Sequence, residues 1–389
     1  MRERFLQLHT LTGYSATLLN RDDVGRAKRL PFGGHDRIRV SSQCLKRHWR
    51  EATGEWSLRE LGNGKSTRSR RVFSDVIAGR LRERGLSEKQ IVNVLMPIRL
   101  AVLGESIKAK QARQEKSVEG TKPLTSLHTD QIIVLGEPEI AFLTNLAAEL
   151  VKDDAEGTAK AVDAYFRDKA KKANLKALVM GSGLDAAIFG RMVTSDLMAR
   201  SDAAVHVAHS FTVHAEEAEP DYFSALDDLV AAEGELGSAH INTSELTSGL
   251  FYTYVVVDIH QLVANLSSDR ALAEEVIRRL VHLIATVSPG AKLGATAPYA
   301  CAEMMLAESG ARQPRTLANA FMSPVSKQGA KEKASVAISK YLGRYDAVYG
   351  THERRKVATM IEPAPEHTGE RVTMAALAQW AADQVGGAS

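Results

Sequence analysis

Ten residues past the middle of the chain narrow its fold more than any other stretch. Leu250-Phe-Tyr-Thr-Tyr-Val-Val-Val-Asp-Ile259 is dense in aromatic and β-branched side chains, and it reads as a strong strand over 249–259. A strand must find partners, and the best ones lie far away in sequence. Phe5 to Leu11 alternates in a β-like way, and Ile38 to Val40 reads as the end of a short strand. Between these ends and the strong strand the pattern is mainly helical, over about 56–175. The simplest arrangement is an α+β core that carries a helical insertion, with strands from both sides meeting in one sheet.

The finer pattern sets further expectations. Gly13 to Gly34 reads as a long polar and basic loop, and 54–71 as a second loop rich in Gly, Ser, Arg and Lys. A helix is predicted from Ser41 or Ser42 to about Ala52, since either serine makes a good N-cap. A helical pattern runs from Ser74 to about Lys116. Ser87 and Gln90 give it a capping box, and Pro97 should kink or divide it. Helices are predicted over 138–152, opened by Pro138, and over 156–173. Lys176–Met180 and Ala186–Phe189 look like strands. Residues 202–235, with nine acids and no Lys or Arg, look like a loop, and Ala271–Val287 reads as an amphipathic helix.

Composition excludes several classes. With 389 residues, 44% hydrophobic and 25% charged, the chain can bury a large core, either as one domain with insertions or as two. No run of 18 apolar residues spans a membrane, and no apolar signal core follows Met1. Two cysteines, Cys44 and Cys301, make neither a disulfide framework nor a multi-cysteine zinc site, so a reducing cytoplasm is expected. The net charge of +3 hides an asymmetry: residues 1–120 hold 25 Lys and Arg against 13 Asp and Glu, and residues 121–389 hold 25 against 34. A basic N-terminal third points to a polyanion.

The densest basic segment is Arg37-Ile-Arg-Val-Ser-Ser-Gln-Cys-Leu-Lys-Arg-His-Trp-Arg50. On a helix from Ser42, Gln43, Lys46, Arg47 and Arg50 share one face, while Leu45 and Trp49 share another and can pack inward. Free N–H groups at the helix start, the hydroxyls of Ser41 and Ser42, and cations one turn later are the parts of a phosphate site. A solvated basic face explains the same residues, and spacing alone does not separate the two.

Other constellations are weaker. Gly181-Ser-Gly-Leu-Asp-Ala186 formally matches a dinucleotide fingerprint, but the run that follows reads as a strand where a helix is required. His206, His209 and His214 fit no strong metal spacing and read as satisfied loop histidines. Asp22, Asp23 and Asp36 could hold a divalent metal, but pairing with Arg21, Arg26 and Arg37 is the expected reading.

An ordered set of short motifs carries a resemblance. Leu8-His9, Asn20-Arg-Asp-Asp23, Phe32-Gly-Gly34, Arg39-Val-Ser-Ser-Gln-Cys-Leu-Lys-Arg47, Gly190-Arg-Met192, Tyr222-Phe223, Gly237-Ser-Ala-His240, Pro289-Gly-Ala-Lys292 and Ala318-Asn-Ala-Phe321 follow one another along most of the chain. In this the chain resembles the CasC family, the RAMP-superfamily backbone subunits of type I-E CRISPR Cascade surveillance complexes. The resemblance implies an α+β fold shaped like a hand. Its palm would be a modified RNA-recognition-motif (ferredoxin-like) fold, built from 1–55, a strand region at 180–200, and 239–389. Helical fingers would be inserted over 56–179, and a thumb loop would project over 201–238.

The resemblance also implies a role. Copies would stack head-to-tail along CRISPR guide RNA, without catalysis, cofactor or metal. They would displace a base at intervals while the spacer pairs with a target DNA strand. The partners would be the other Cascade subunits and, through them, the nuclease-helicase; no membrane is involved. Carried over by position, Asn20, Arg21, Ser41, Gln43, Lys46, Arg47 and Arg50 would hold the guide backbone. Arg191 and Lys327 would be further phosphate contacts. Met192 would wedge near the displaced base and Phe223 would pack at the thumb. Arg167, Lys169, Lys171 and Lys172 resemble finger cations that touch flanking DNA. The competing function is a metal-dependent RNA-cleaving subunit of the related type III kind, with Asp36 as the residue to suspect.

Overall fold

A computed structural model describes residues 3–61, 66–104, 123–168, 183–191, 202–216, 218–226 and 238–388, without the side chains of 123, 218–226, 238–244 and 388. The strands are β1 (Phe5–Thr17), β2 (Arg29–Phe32), β3 (His35–Val40), β4 (Ser66–Ser69), β5 (Ile133–Gly136), β6 (Val205–Val207), β7 (Ser210–Thr212), β8 (Ala218–Leu226), β9 (Ser238–Asp258), β10 (Ala302–Gly310), β11 (Arg354–Thr359) and β12 (Glu370–Arg371). The main helices are α1 (Ser42–Glu51), α2 (Glu88–Leu103), α3 (Glu137–Leu150), α4 (Ala155–Arg167), the short α5 (Leu184–Phe189), α6 (Arg270–Thr286) and α7 (Ala330–Tyr349). Two compact units emerge. One is Met1–Leu58, His206–His260 and Ala273–Ser389; the other is Arg59–Val205 and Gln261–Leu272.

The first unit is built on a sheet of order β12-β11-β10-β1-β9-β7-β3-β2, with β6 and β8 also paired to β9. Distant segments do meet in one sheet, because β1 lies between β9 and β10 and pairs antiparallel with both. Both faces of β1 are covered, so Leu6 through Thr12 is continuously buried. That explains why its alternation is weak in sequence. On one face Leu11, Tyr252, Met304, Leu306 and Val357 form a core with Ile338 and Leu342 of α7. On the other, Leu45 and Trp49 of α1 close over Thr12, Phe251 and Ile284 around a cavity of about 20 Å³.

The first core also encloses charge. Glu308 takes both guanidinium nitrogens of Arg315, at 2.6 and 2.8 Å, and Nε of Arg355 at 2.7 Å. Arg355 turns its two outer nitrogens to Asp346, at 2.5 and 2.8 Å. His9 completes the set. Tyr252 accepts the Leu317 N–H at 2.9 Å and gives its own proton to His9 Nδ1 at 2.9 Å, so Nε2–H donates to Glu308 at 3.0 Å. Burial pushes the His9 imidazole below its ordinary value and keeps it neutral. Glu308 is held well below the usual carboxylate range: burial would raise it, but the bonds from Arg315 and His9 win.

Several expectations change. The loop expected over 13–34 contains the end of β1 and all of β2. Gly33 and Gly34, at φ +61° and +77°, close a two-residue hairpin between β2 and β3. At Gly33 a Cβ would sit 1.6 Å from the Met322 carbonyl oxygen, so only glycine fits. Part of the expected loop 54–71 is β4, paired antiparallel with β5; residues 62–65 lie outside the described residues.

The second unit is helical around Ile91, Val94, Leu95, Ile98 and Val102 of α2, which meet Phe73, Leu143 and Phe166. The Ser87 capping box is present: Ser87 N–H donates to Gln90 Oε1 at 3.0 Å, and Ser87 Oγ accepts from Gln90 N–H at 3.4 Å. Pro97 does not divide the helix, which runs unbroken to Leu103. The packed faces on both sides of Pro97 offset the roughly 3 kcal/mol that an internal proline costs. Ala186–Phe189, expected as a strand of the 180–200 palm region, lies in helix α5, where Leu184, Ala186, Ala187 and Ile188 are buried. Asp185 in its first turn and two alanines favour helix over strand there. Lys176–Met180 lies outside the described residues.

Candidate nucleic-acid interface

The basic helix forms where the sequence places it. Ser41 is the N-cap, with ψ 146°, and its hydroxyl accepts from Cys44 N–H at 3.3 Å. Loop and helix are tied through Asn20, whose Oδ1 accepts the Ser41 N–H at 2.9 Å and whose carbonyl accepts the Lys28 N–H at 2.9 Å. The Lys28 carbonyl in turn accepts the Arg39 N–H at 2.7 Å. One asparagine thus sets both the helix start and the strand beside it.

The free helix-end donors expected for phosphate are largely spent. Ser41 Oγ holds one N–H, and His209 Nδ1 accepts another from Ser42 at 3.2 Å. Arg39 approaches the same His209 nitrogen at 3.3 Å. Burial lowers the His209 imidazole, and the positive charges of Arg39 and Lys28 lower it further. Burial raises the Cys44 thiol, against the pull of Arg47 and Lys28. Lys28 and Arg39 on the strand side and Arg47 on the helix thus place their positive charges around His209 and Cys44. Any phosphate here meets side chains rather than the helix end.

The predicted residues divide by environment. Gln43 and Arg47 are exposed, and Lys46 is half-buried on the same face. Arg47 pairs with Glu51 at 3.0 Å in an exposed bridge. Arg50 departs from expectation: its side chain is 15% exposed and it meets Glu51 at 3.3 Å, so it braces the helix more than it faces solvent. Arg21 is exposed at a bridge to Ala27. The expected pairing of aspartates with arginines does not form at Asp22 or Arg37. Asp22 Oδ1 accepts the backbone N–H groups of Val24 and Arg26, at 3.1 and 2.8 Å, because a tight turn brings them to it. Arg37 is fully buried and donates to the carbonyls of Thr212 and Phe321.

Arg191 is a correction. It is 3% exposed, and its Nη1 lies 2.8 Å from both carboxylate oxygens of buried Glu139. A guanidinium committed in this way holds the second unit together and is not offered to a phosphate. Arg167 is exposed at the end of α4 and pairs with Asp163 at 2.6 Å. Lys327 is exposed ahead of α7 and lines an open cleft of about 530 Å³ with Ser15, Ser248 and Lys331; Lys331 pairs with Glu303 at 2.5 Å. Phe223 sits mid-strand on β8 opposite Asn242, but its side chain lies outside the described residues, as do Met192, Lys169, Lys171 and Lys172 altogether.

His214 is saturated: Nδ1–H donates to the Ala215 carbonyl at 2.8 Å, and Nε2 accepts the Leu250 N–H at 3.2 Å. Asp36 is exposed on β3. Among the described residues no group of three or more His, Cys, Asp and Glu converges to hold a metal ion. Among the described residues, too, no helix is long and apolar enough to cross a membrane. Sequence reasoning misses Lys28, Arg39 and His209 as members of the site. Lys28 and Arg39 do carry a local signal, since they flank the Gly33-Gly34 turn in one hairpin. His209 arrives from 167 residues beyond Ser42 and carries none.

Comparison with known proteins agrees with the mixed α+β architecture. The family model described as CT1975-like protein matches residues 6–382. A solved chain titled CRISPR RNA-guided surveillance complex, pre-nicking, superposes with a TM-score of 0.81 at 27% identity, covering 99% of this chain and 100% of that one. A second chain, from a structure titled CRISPR RNA-guided surveillance complex, gives a TM-score of 0.69 at 23% identity over 97% and 100%, a likeness of fold. No curated protein matches the sequence.

Proposed function

The chain belongs to the CT1975-like protein family, and on that premise we propose that it is a non-catalytic backbone subunit of the CasC type in a type I-E CRISPR surveillance complex. It coats guide RNA in head-to-tail copies and leaves base edges free to pair with target DNA. The observation that carries this reading is the basic cluster around the start of α1, where Arg39 Nη1 lies 3.3 Å from His209 Nδ1, Lys28 leads into the neighbouring strand, and Arg47 is exposed on the helix. It is supported by the likeness, over nearly the whole chain, to a subunit of an RNA-guided complex.

The chemistry suits an RNA grip without sequence preference. Lys28, Arg39, Lys46 and Arg47 offer charge and hydrogen bonds to phosphates, with Gln43 and Arg21 at the edge; none reads a base edge by itself. In this reading the β8–β9 hairpin serves as the thumb, with Phe223 on its first strand. Its role, with that of Met192, is to pack where a guide base is displaced, since apolar contact offsets the cost of unstacking.

The test is RNA binding by the full chain across a salt series, using unrelated RNA sequences. Lys46→Gln with Arg47→Gln should weaken binding to every sequence. It should also flatten the dependence of log affinity on log salt by about 0.7 for each phosphate that is no longer neutralised. An unchanged affinity and slope would sink this reading.

A further inference from the structure

One charged cluster touches the hairpins on both sides of the basic site yet has no part in gripping phosphate. Arg29 on β2 reaches two acids with one guanidinium: Nε meets Glu216, and Nη2 meets Glu245. Its third nitrogen donates to the Ala27 carbonyl at 3.0 Å. Glu216 stands two residues before the start of β8, and Glu245 lies on β9 in register with Pro220. The two acids therefore sit at the root of the β8–β9 hairpin, one toward each strand. Their side chains are 16% and 12% exposed, and that of Arg29 is 31% exposed, so solvent screens this junction less than it does an open surface pair.

Two backbone bonds run through the same junction. Glu245 Oε2 accepts the Ala27 N–H at 2.6 Å, and the Glu216 N–H donates to the Asp36 carbonyl at 2.8 Å. Each strand of the β8–β9 hairpin is thus tied to the β2–β3 hairpin or the turn leading into it. Arg29 follows Lys28 in sequence, and its carbonyl accepts from Arg39 Nε at 3.1 Å. Without Arg29 the two carboxylates face each other uncompensated, and like charges at close range push apart.

We propose that Arg29 is a positioning residue that clamps the root of the β8–β9 hairpin to the β2–β3 hairpin, so that RNA held by Lys28 and Arg39 also sets the pose of the β8–β9 hairpin. The inference rests on the RNA-binding reading above. It adds a mechanical link between the strand that grips the guide and the hairpin that works on the displaced base.

The experiment measures the distance between spin labels at Ala225→Cys and Lys340→Cys, in the full chain carrying Cys44→Ser and Cys301→Ser, with and without RNA. The parent chain should give a narrow distribution that RNA narrows further. Arg29→Gln should broaden it and remove the response to RNA, while RNA affinity changes by no more than about twofold, since only a partly exposed ion pair is lost. Arg29→Glu with Glu245→Arg places one arginine beside two acids again and should restore most of the narrow distribution, less what the lost bond from Ala27 N–H to Glu245 supplied. A narrow, RNA-responsive distribution in Arg29→Gln overturns the clamp while leaving the RNA reading intact. A parent chain that binds no RNA overturns that reading together with the link.

Discussion

Two clusters in the first unit use the same residue types to opposite ends. Around Glu308, arginine, histidine and carboxylate are sealed in the core, and each guanidinium is matched to an acid. Around the start of α1, arginine, lysine and histidine lie at the surface, and the imidazole accepts from a backbone N–H and an arginine instead of facing an acid. In the first cluster charge is cancelled, and the product is a fixed geometry joining β1, β10, β11 and α7. In the second, charge is left over, and the product is a field that reaches solvent. The lesson is that basic residues point to a polyanion only where burial and acids have not already claimed them.

The comparison breaks most readily at Glu308. Glu308→Ala takes the close acid from buried Arg315 and one of the two acids from Arg355, which keeps Asp346, and should cost about 3–5 kcal/mol or abolish folding, read by denaturant unfolding. A loss under about 1 kcal/mol, the scale of a surface pair, would mean the cluster is not sealed. Arg191→Ala extends the test to the second unit. It strands buried Glu139 and should also cost about 3–5 kcal/mol, while the protein that remains folded keeps its RNA affinity. A selective loss of RNA binding would return Arg191 to the interface.

Acid should act on both clusters, with the same sign. Burial lowers His9 and His209, so the folded state favours neutral rings. The unfolded chain takes up protons first, near the ordinary histidine value of about 6.5. Stability should therefore be level above about pH 7 and fall as pH drops below about 6.5. Glu308, lowered in the folded state, contributes fully above the ordinary carboxylate range of about 4.3 and loses that contribution at lower pH. Unfolding midpoints that stay flat from pH 8 to 5 would show that His9 is not held neutral. The smallest effect sharpens the other side: Arg47→Ala removes an exposed bridge to Glu51 and should change stability by about 0.3–0.5 kcal/mol while still weakening RNA binding.

Much of the local structure is legible in the sequence. Ser41 caps α1, Leu45 and Trp49 turn inward, Ser87 and Gln90 form their box, and the strand expected at 249–259 is the C-terminal half of β9, which ends at Asp258. Each follows from side-chain chemistry within a few residues. The β2–β3 hairpin is equally local, yet its strands are short and polar, so Gly33-Gly34 reads as the end of a loop and not as a two-residue turn. Pro97 and Ala186–Phe189 depart from expectation for another reason: packing overrides a propensity worth no more than a few kcal/mol.

By itself, the sequence determined the mixed α+β class, the basic character of the N-terminal third, and the helix that presents Gln43, Lys46 and Arg47 on one face. Periods of two and 3.6 and short-range caps are written residue by residue, and charge is simply counted. Only the tertiary structure decided that Arg37, Arg191 and Arg355 are interior while Lys28 and Arg47 are not. It alone brought His209 to Ser42, and Glu216 and Glu245 to Arg29. The physical reason is that burial and ion pairing belong to the meeting of surfaces distant in sequence, and a guanidinium carries the same charge whether an acid or the solvent receives it.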